Sequence, residues 1–262
     1  MSNLLPLQVS TFECGVIYGP ASAPKQTVYE ESETQKYALG TKFVCDNGTI
    51  YRYAKNGAAA LTKAHMTQTQ VVAAAYILEV AQTGHAQVVG AQNIITLVVT
   101  GSSLARNSLD GGTLWANKTG NLGESYKILS SALRPGSDTL LDLVLETPIR
   151  VAIAADTEVS ISPNYWYGVV TMPIAAKTGS PAGIPLINVT ASYYFWACTG
   201  GDCPIYIDTD EVAIIGNTVG YPATYEVAGC GGVWQTLMPI WGIWRTVNAG
   251  DEVGLIGLTI DH

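Results

Sequence analysis

The dipeptide Asn47-Gly48 constrains this chain more than any other pair of residues. A tight β-hairpin needs positive φ at its turn, and Asn-Gly supplies that more readily than any other natural pair. It sits in residues 37–58, YALGTKFVCDNGTIYRYAKNGA, between two short apolar runs. Taken as a two-residue turn, it sets Cys45 opposite Ile50, Val44 opposite Tyr51 and Phe43 opposite Arg52. Cross-strand partners share a face, so one face would carry Phe43, Cys45, Ile50 and Arg52. The other would carry Lys42, Val44, Tyr51 and Tyr53. Both faces mix apolar and charged groups, and a lone hairpin is marginal in water, so this ribbon must lie against something else. The face of Lys42, Val44, Tyr51 and Tyr53 is the candidate partner-contact surface.

The rest of the chain repeats with period two. Leu141, Leu143 and Leu145 alternate with Asp142, Val144 and Glu146. Ile149, Val151 and Ile153 follow, then Val159 and Ile161, as a meander with one buried face. Residues 94–100 (IITLVVT) read as a buried strand. Ile187, Val189, Tyr193, Phe195 and Ala197 hold one parity, as do Ile256, Leu258 and Ile260 near the end. Residues 212–215, 233–237 and 241–247 are further strand candidates. Residues 71–80 (VVAAAYILEV) fit a strand better than a helix, because no capping residue precedes them. Residues 122–133 are open between strand and short helix, and 104–121 read as a long loop containing a hairpin. Only the Ala-rich residues 58–66 look helical, for about two turns.

The expected fold is all-β: an antiparallel sandwich or barrel with an extended N-terminal arm, a β-hairpin and little helix. The expected segments are an arm over 1–34, the hairpin and helical turn over 35–70, and β-rich halves over 71–181 and 182–262. The second half has the makings of a separate small barrel. An ordinary edge strand at 8–14 is the alternative to the arm.

Composition narrows the function. With 13 basic against 21 acidic residues the net charge is −8, which gives no footprint for nucleic acid. No cationic amphipathic stretch suits a membrane surface, and no apolar run reaches spanning length. The start, MSNLLPLQVSTFE, does not read as a secretory signal, so a soluble chain made in a cytoplasm is expected. Charged residues are only 13%, whereas Tyr (14) and Trp (6) far exceed Phe (3). That bias suits half-wet contact surfaces.

Chemistry is sparse. The five cysteines do not form an even framework. Cys198 and Cys203 flank Thr-Gly-Gly-Asp, which reads as a hairpin loop across which they could bridge or pack as small apolar groups. His65, His85 and His262 lack metal-ligand spacing. Cys230 lies between glycines, as an exposed thiol or a turn residue. Three acidic phrases, at 155–159, 208–212 and 249–253, repeat a turn-then-Val pattern without the spacing of a calcium loop. No catalytic, cofactor or metal residues are assigned. Trp234, Trp241 and Trp244 fit a core or interface better than a sugar platform, although a paired-carboxylate glycosidase stays open on sequence.

Two blocks resemble structural proteins of tailed bacteriophages. One is residues 35–58, with Lys-Tyr-Ala-Leu-Gly-Thr, Asp-Asn-Gly and Tyr-Arg-Tyr-Ala. The other is 183–216, with Gly-Ile-Pro-Leu-Ile-Asn-Val-Thr-Ala, Tyr-Tyr-Phe-Trp and Ile-Ile-Gly-Asn. The resemblance implies a non-enzymatic virion component of the capsid decoration (cement) type, on the outer surface of the phage head. Its implied partners are the major capsid protein and copies of itself, as a homotrimer, with capsid stabilisation as its work. A receptor- or carbohydrate-binding module of a head or tail fibre is the alternative.

Overall fold

The computed structural model describes residues 26–71, 93–98, 103–117, 122–136, 140–153, 158–174, 178–209, 212–221, 227–233 and 240–261. It also describes the backbone of three short strands, Thr11–Phe12, Gly15–Tyr18 and Val80–Ala81. The chain is all-β and antiparallel, with no helix among the described residues. It divides into two compact units: Met1–Gln70 with Trp166–His262, and Val71–Tyr165. The hairpin segment and the last third therefore build one body, and the second unit is an insertion between Gln70 and Trp166.

The first unit contains β1 (Thr11–Phe12), β2 (Gly15–Tyr18), β3 (Lys42–Cys45), β4 (Ile50–Lys55) and β5 (Thr67–Gln68). The second contains β6 (Val80–Ala81), β7 (Ile94–Val98), β8 (Thr113–Ala116), β9 (Ser125–Ser131), β10 (Leu140–Leu145) and β11 (Glu158–Ser162). The chain then returns to the first unit with β12 (Val170–Thr171), β13 (Pro181–Pro185), β14 (Tyr194–Tyr206), β15 (Thr218–Gly220), β16 (Gly232–Val233), β17 (Ile240–Thr246) and β18 (Val253–Thr259).

In the first unit the sheet runs β1-β2-β3-β4-β14-β18-β17-β15-β16, and β13, β5 and β12 branch from β14. Strand β14 is its spine, with 13 residues. Its first half pairs with β4 and its second with β18, and Gly200 is the residue common to both ladders. The Thr-Gly-Gly-Asp expected to be a hairpin loop is thus mid-strand, with a bulge between Cys198 and Gly200. A Cβ on Gly201, whose φ is +80°, would come within 2.8 Å of Thr49 Cα. These glycines let the β3–β4 turn lie directly on the spine. Cys198 and Cys203 are buried free thiols.

Aromatics fill the core beside the spine. Trp196 packs against Tyr37, Phe43 and Tyr53, with ring centroids 5.0–5.7 Å away. Its indole N–H donates to Gln26 O at 3.0 Å. Trp241 and Trp244 lie in the same cluster, almost fully buried, which settles them as core. A separate cluster holds Val189, Phe195 and Ala197, with Ile187 and Tyr193 at its margin, the parity set read from the sequence.

Several expectations fail locally. Residues 58–66 form no helix, because their backbone is committed elsewhere: Leu61 and Val189 exchange N–H···O bonds at 2.9 Å, and Ala64 takes φ of 62°. Helix propensity is a weak prior against such tertiary bonding. The described part of the expected arm is tied to the body at points, while most of 27–34 stays half-buried or exposed: β2 pairs with β3, Gln26 is buried, and Ser32 bridges Tyr194. Residues 212–215 form an exposed loop and turn. Most of 71–80 and of 233–237 lies outside the described residues.

The second unit is a six-stranded sheet, β6-β11-β8-β9-β10-β7. Its end strands β6 and β7 approach each other, so the sheet curls towards a barrel. Leu141, Leu143 and Leu145 face inward, as their alternation indicates, with Ile95, Leu97, Ile128, Val159 and Ile161. Residues 122–133 resolve mainly into β9, with Tyr126 and Ile128 buried. Ile149 and Ile153 are buried but Val151 is exposed, and the described residues 146–153 form no strand.

Candidate contact surfaces

The hairpin is real, but its register is one residue away from the two-residue turn. Lys42 pairs with Arg52, Phe43 with Tyr51 and Val44 with Ile50. The loop is three residues, 46–48: Cys45 N–H donates to Thr49 O at 2.8 Å and Gly48 N–H to Cys45 O at 2.9 Å. Only Gly48 has positive φ, at +84°, as a type I turn closed by a bulge requires. A one-residue slip transfers side chains to the opposite face. The proposed contact face is therefore split. Tyr51 and Tyr53 point into the core with Phe43, and Lys42 and Val44 lie on the other side with Ile50 and Arg52.

Neither tyrosine is available to a partner. Phe43 and Tyr51 stack at 5.9 Å. Tyr53 is fully buried; its hydroxyl donates to Gln26 Oε1 at 2.8 Å and accepts from Lys36 N at 3.1 Å. Burial pushes that hydroxyl up to about 12, against the opposing Lys36 hydrogen bond. Lys42 Nζ lies 3.5 Å from Asp261. The hairpin also has no open edge, since β2 covers one side and β14 the other.

Two of the three acidic phrases meet. Tyr206 Oη and Thr209 Oγ1 each donate to Asp251 Oδ1 at 2.9 Å. Asp208 is buried and accepts from Thr209 N at 3.1 Å. Cys230 is buried beside it, not exposed, and its thiol is pushed up to about 12, by burial first and then by Asp208. His65 stacks on Tyr206 with centroids 5.0 Å apart. These carboxylates are turn and loop anchors. Among the described residues no group of three or more His, Cys, Asp or Glu is placed to hold a metal ion.

The outward face of the second unit's sheet is different in kind. Across β10 and β7, Leu140 pairs with Val98, Asp142 with Thr96 and Val144 with Ile94. Leu140 and Ile94 are each 48% exposed, and Leu129, at the β9 bulge, is 59% exposed. The polar pair between them is self-satisfied, with Thr96 Oγ1 donating to Asp142 Oδ1 at 2.7 Å. These side chains are already about half covered, so completing their burial would gain roughly 1 kcal/mol each, about half of a full transfer. The sequence signal was available: LLDLVL and IITLV carry apolar residues on both parities, as strands covered on both faces do. The alternation of Leu141, Leu143 and Leu145 with Asp142 hides the apolar Leu140 and Val144 on the second parity.

The first unit also exposes apolar side chains at Ile214, Ile215, Ile240 and Ile243. Arg245 lies over Gly257, and its Nε reaches Asp202 Oδ1 at 3.3 Å. No protein-family model, curated protein or solved structure matches the chain.

Proposed function

We propose that this chain is a non-enzymatic structural protein of a tailed-phage particle, of the capsid decoration type. It is made in the host cytoplasm, binds the outer surface of the head and bridges neighbouring capsomers as a homotrimer. One observation carries the reading: the outward face of β7, β10 and β9, where Ile94, Leu129, Leu140 and Val144 are uncovered around the Thr96–Asp142 pair. The resemblance of residues 35–58 and 183–216 to phage structural proteins supports the same reading. Contact with the major capsid protein belongs to that sheet face and not to the hairpin, whose tyrosines are internal. An interface of order 1,000 Å² per copy, repeated over a shell, is enough to stabilise it.

Co-sedimentation of purified protein with assembled capsids tests this. The wild-type chain is expected in the capsid pellet. Leu129→Ser with Leu140→Ser is expected to weaken binding about tenfold while leaving the melting temperature near wild type. If the wild-type chain stays in the supernatant and mass spectrometry of virions finds none of it, the reading fails.

A further inference from the structure

The chain contains two Asn-Gly pairs, Asn47-Gly48 and Asn56-Gly57, in opposite environments. We infer that Asn47 is a site of spontaneous deamidation and isoaspartate formation, and that Asn56 is protected from it by the fold.

The chemistry is intramolecular. The backbone nitrogen of the following residue attacks the Asn Cγ, forming an N–Cγ bond. The Cγ–Nδ2 bond breaks, and ammonia leaves with the amide proton. Water then opens the resulting succinimide at either carbonyl, giving aspartate or isoaspartate. Glycine as the following residue has no side chain to obstruct ring closure.

At the hairpin turn the fold leaves the reaction accessible. Asn47 and Gly48 are both exposed to water. Thr49 N–H donates to Asn47 Oδ1 at 3.0 Å, which polarises the carboxamide and holds the side chain back along its own turn. The leaving nitrogen has no partner among the described residues. A Cβ placed on Gly48 would meet nothing within 4 Å, so the ring has room. One bond stands in the way, Gly48 N–H to Cys45 O at 2.9 Å, at the exposed tip where local opening is easiest.

Asn56 is the reverse case. It is 1% exposed, and its Nδ2 donates to Ala59 O and Thr190 O at 2.9 Å and to Val189 O at 3.3 Å. Gly57 N–H donates to Val169 O at 2.8 Å. A Cβ on Gly57 would lie 3.0 Å from Val170 Cγ1. Ring closure there requires breaking buried hydrogen bonds and admitting water, which needs substantial unfolding.

Trypsin separates the two sites, because residues 43–52 and 56–63 lie between basic residues on different peptides. The native protein is aged at mildly alkaline pH and digested in heavy-oxygen water, so that deamidation during digestion is distinguished by mass. A parallel sample is aged in denaturant. In the native sample, peptide 43–52 is expected to accumulate aspartate and isoaspartate, the latter labelled by protein isoaspartyl methyltransferase, while 56–63 stays amidated. In denaturant both should convert. Equal conversion of the two peptides in the native sample, or a 43–52 peptide as inert as 56–63, overturns the inference.

Discussion

Arg52 and Asp261, 209 residues apart in the chain, form a two-point ion pair. Arg52 donates from Nε to Asp261 Oδ2 and from Nη2 to Oδ1, the latter at 3.0 Å. The third guanidinium nitrogen donates to Gly40 O at 2.8 Å, so one side chain joins the hairpin, the loop before it and the segment after β18. Thr199 Oγ1 and Lys42 Nζ complete the shell of the carboxylate.

That pair makes a pH prediction. Burial alone would push the Asp261 carboxyl up, but the Arg52 hydrogen bond and charge, with Lys42, hold it below the ordinary carboxylate value. A depressed carboxyl contributes stability that is present above the unfolded-state value and is lost as pH falls through the folded one. Asp261→Asn should cost about 1–2 kcal/mol near neutral pH, since the groups are partly solvated. The gap from wild type in urea melts should close as pH drops below about 4.

Tyr53→Phe should cost about 1–3 kcal/mol although it removes a single atom. The lost hydroxyl leaves Gln26 Oε1 and Lys36 N without their shared partner. Chemical denaturation at neutral pH measures it, and an unchanged midpoint would contradict the buried network.

Two glycines with almost the same backbone angle should respond differently. Gly48 has open space around it, so Gly48→Ala carries only the left-handed penalty, about 1 kcal/mol. Gly201→Ala adds a collision with the Thr49 backbone and should cost about 2–4 kcal/mol. Comparing the two midpoints checks that the turn lies on the spine.

Cys198 and Cys203 should ignore a thiol reagent until the protein unfolds. Burial first, then hydrogen bonding with Cys198, pushes the Cys203 thiol well up, so little thiolate exists near neutral pH. Added reductant should leave the melting temperature unchanged, because there is no bridge between them to reduce.

The strands with one dominant apolar parity were legible. Leu141 to Leu145, Phe195 with Ala197, and Ile256 with Leu258 all lie where their alternation puts them, since burial of one face enforces period two. What the sequence could not convey was set by distant partners. Asn-Gly suits both a two- and a three-residue loop, and the actual register places Lys42 opposite Arg52, where both reach Asp261. Thr-Gly-Gly-Asp reads as a turn until Thr49 is seen against Gly201. The Ala-rich residues before β5 read as helix until Val189 takes their hydrogen bonds. The candidate contact face was misassigned for the first of these reasons: parity follows register, and register was decided far along the chain.

The pairing of β4 with β14 has a consequence for synthesis. The ribosome delivers Phe43, Tyr51 and Tyr53 early, then the whole of Val71–Tyr165, and only afterwards Trp196, against which those rings pack. The inserted unit can close on its own core during that interval. The aromatic side of the hairpin must wait for its partner, so residues 37–53 are the part of the first unit whose burial is completed last.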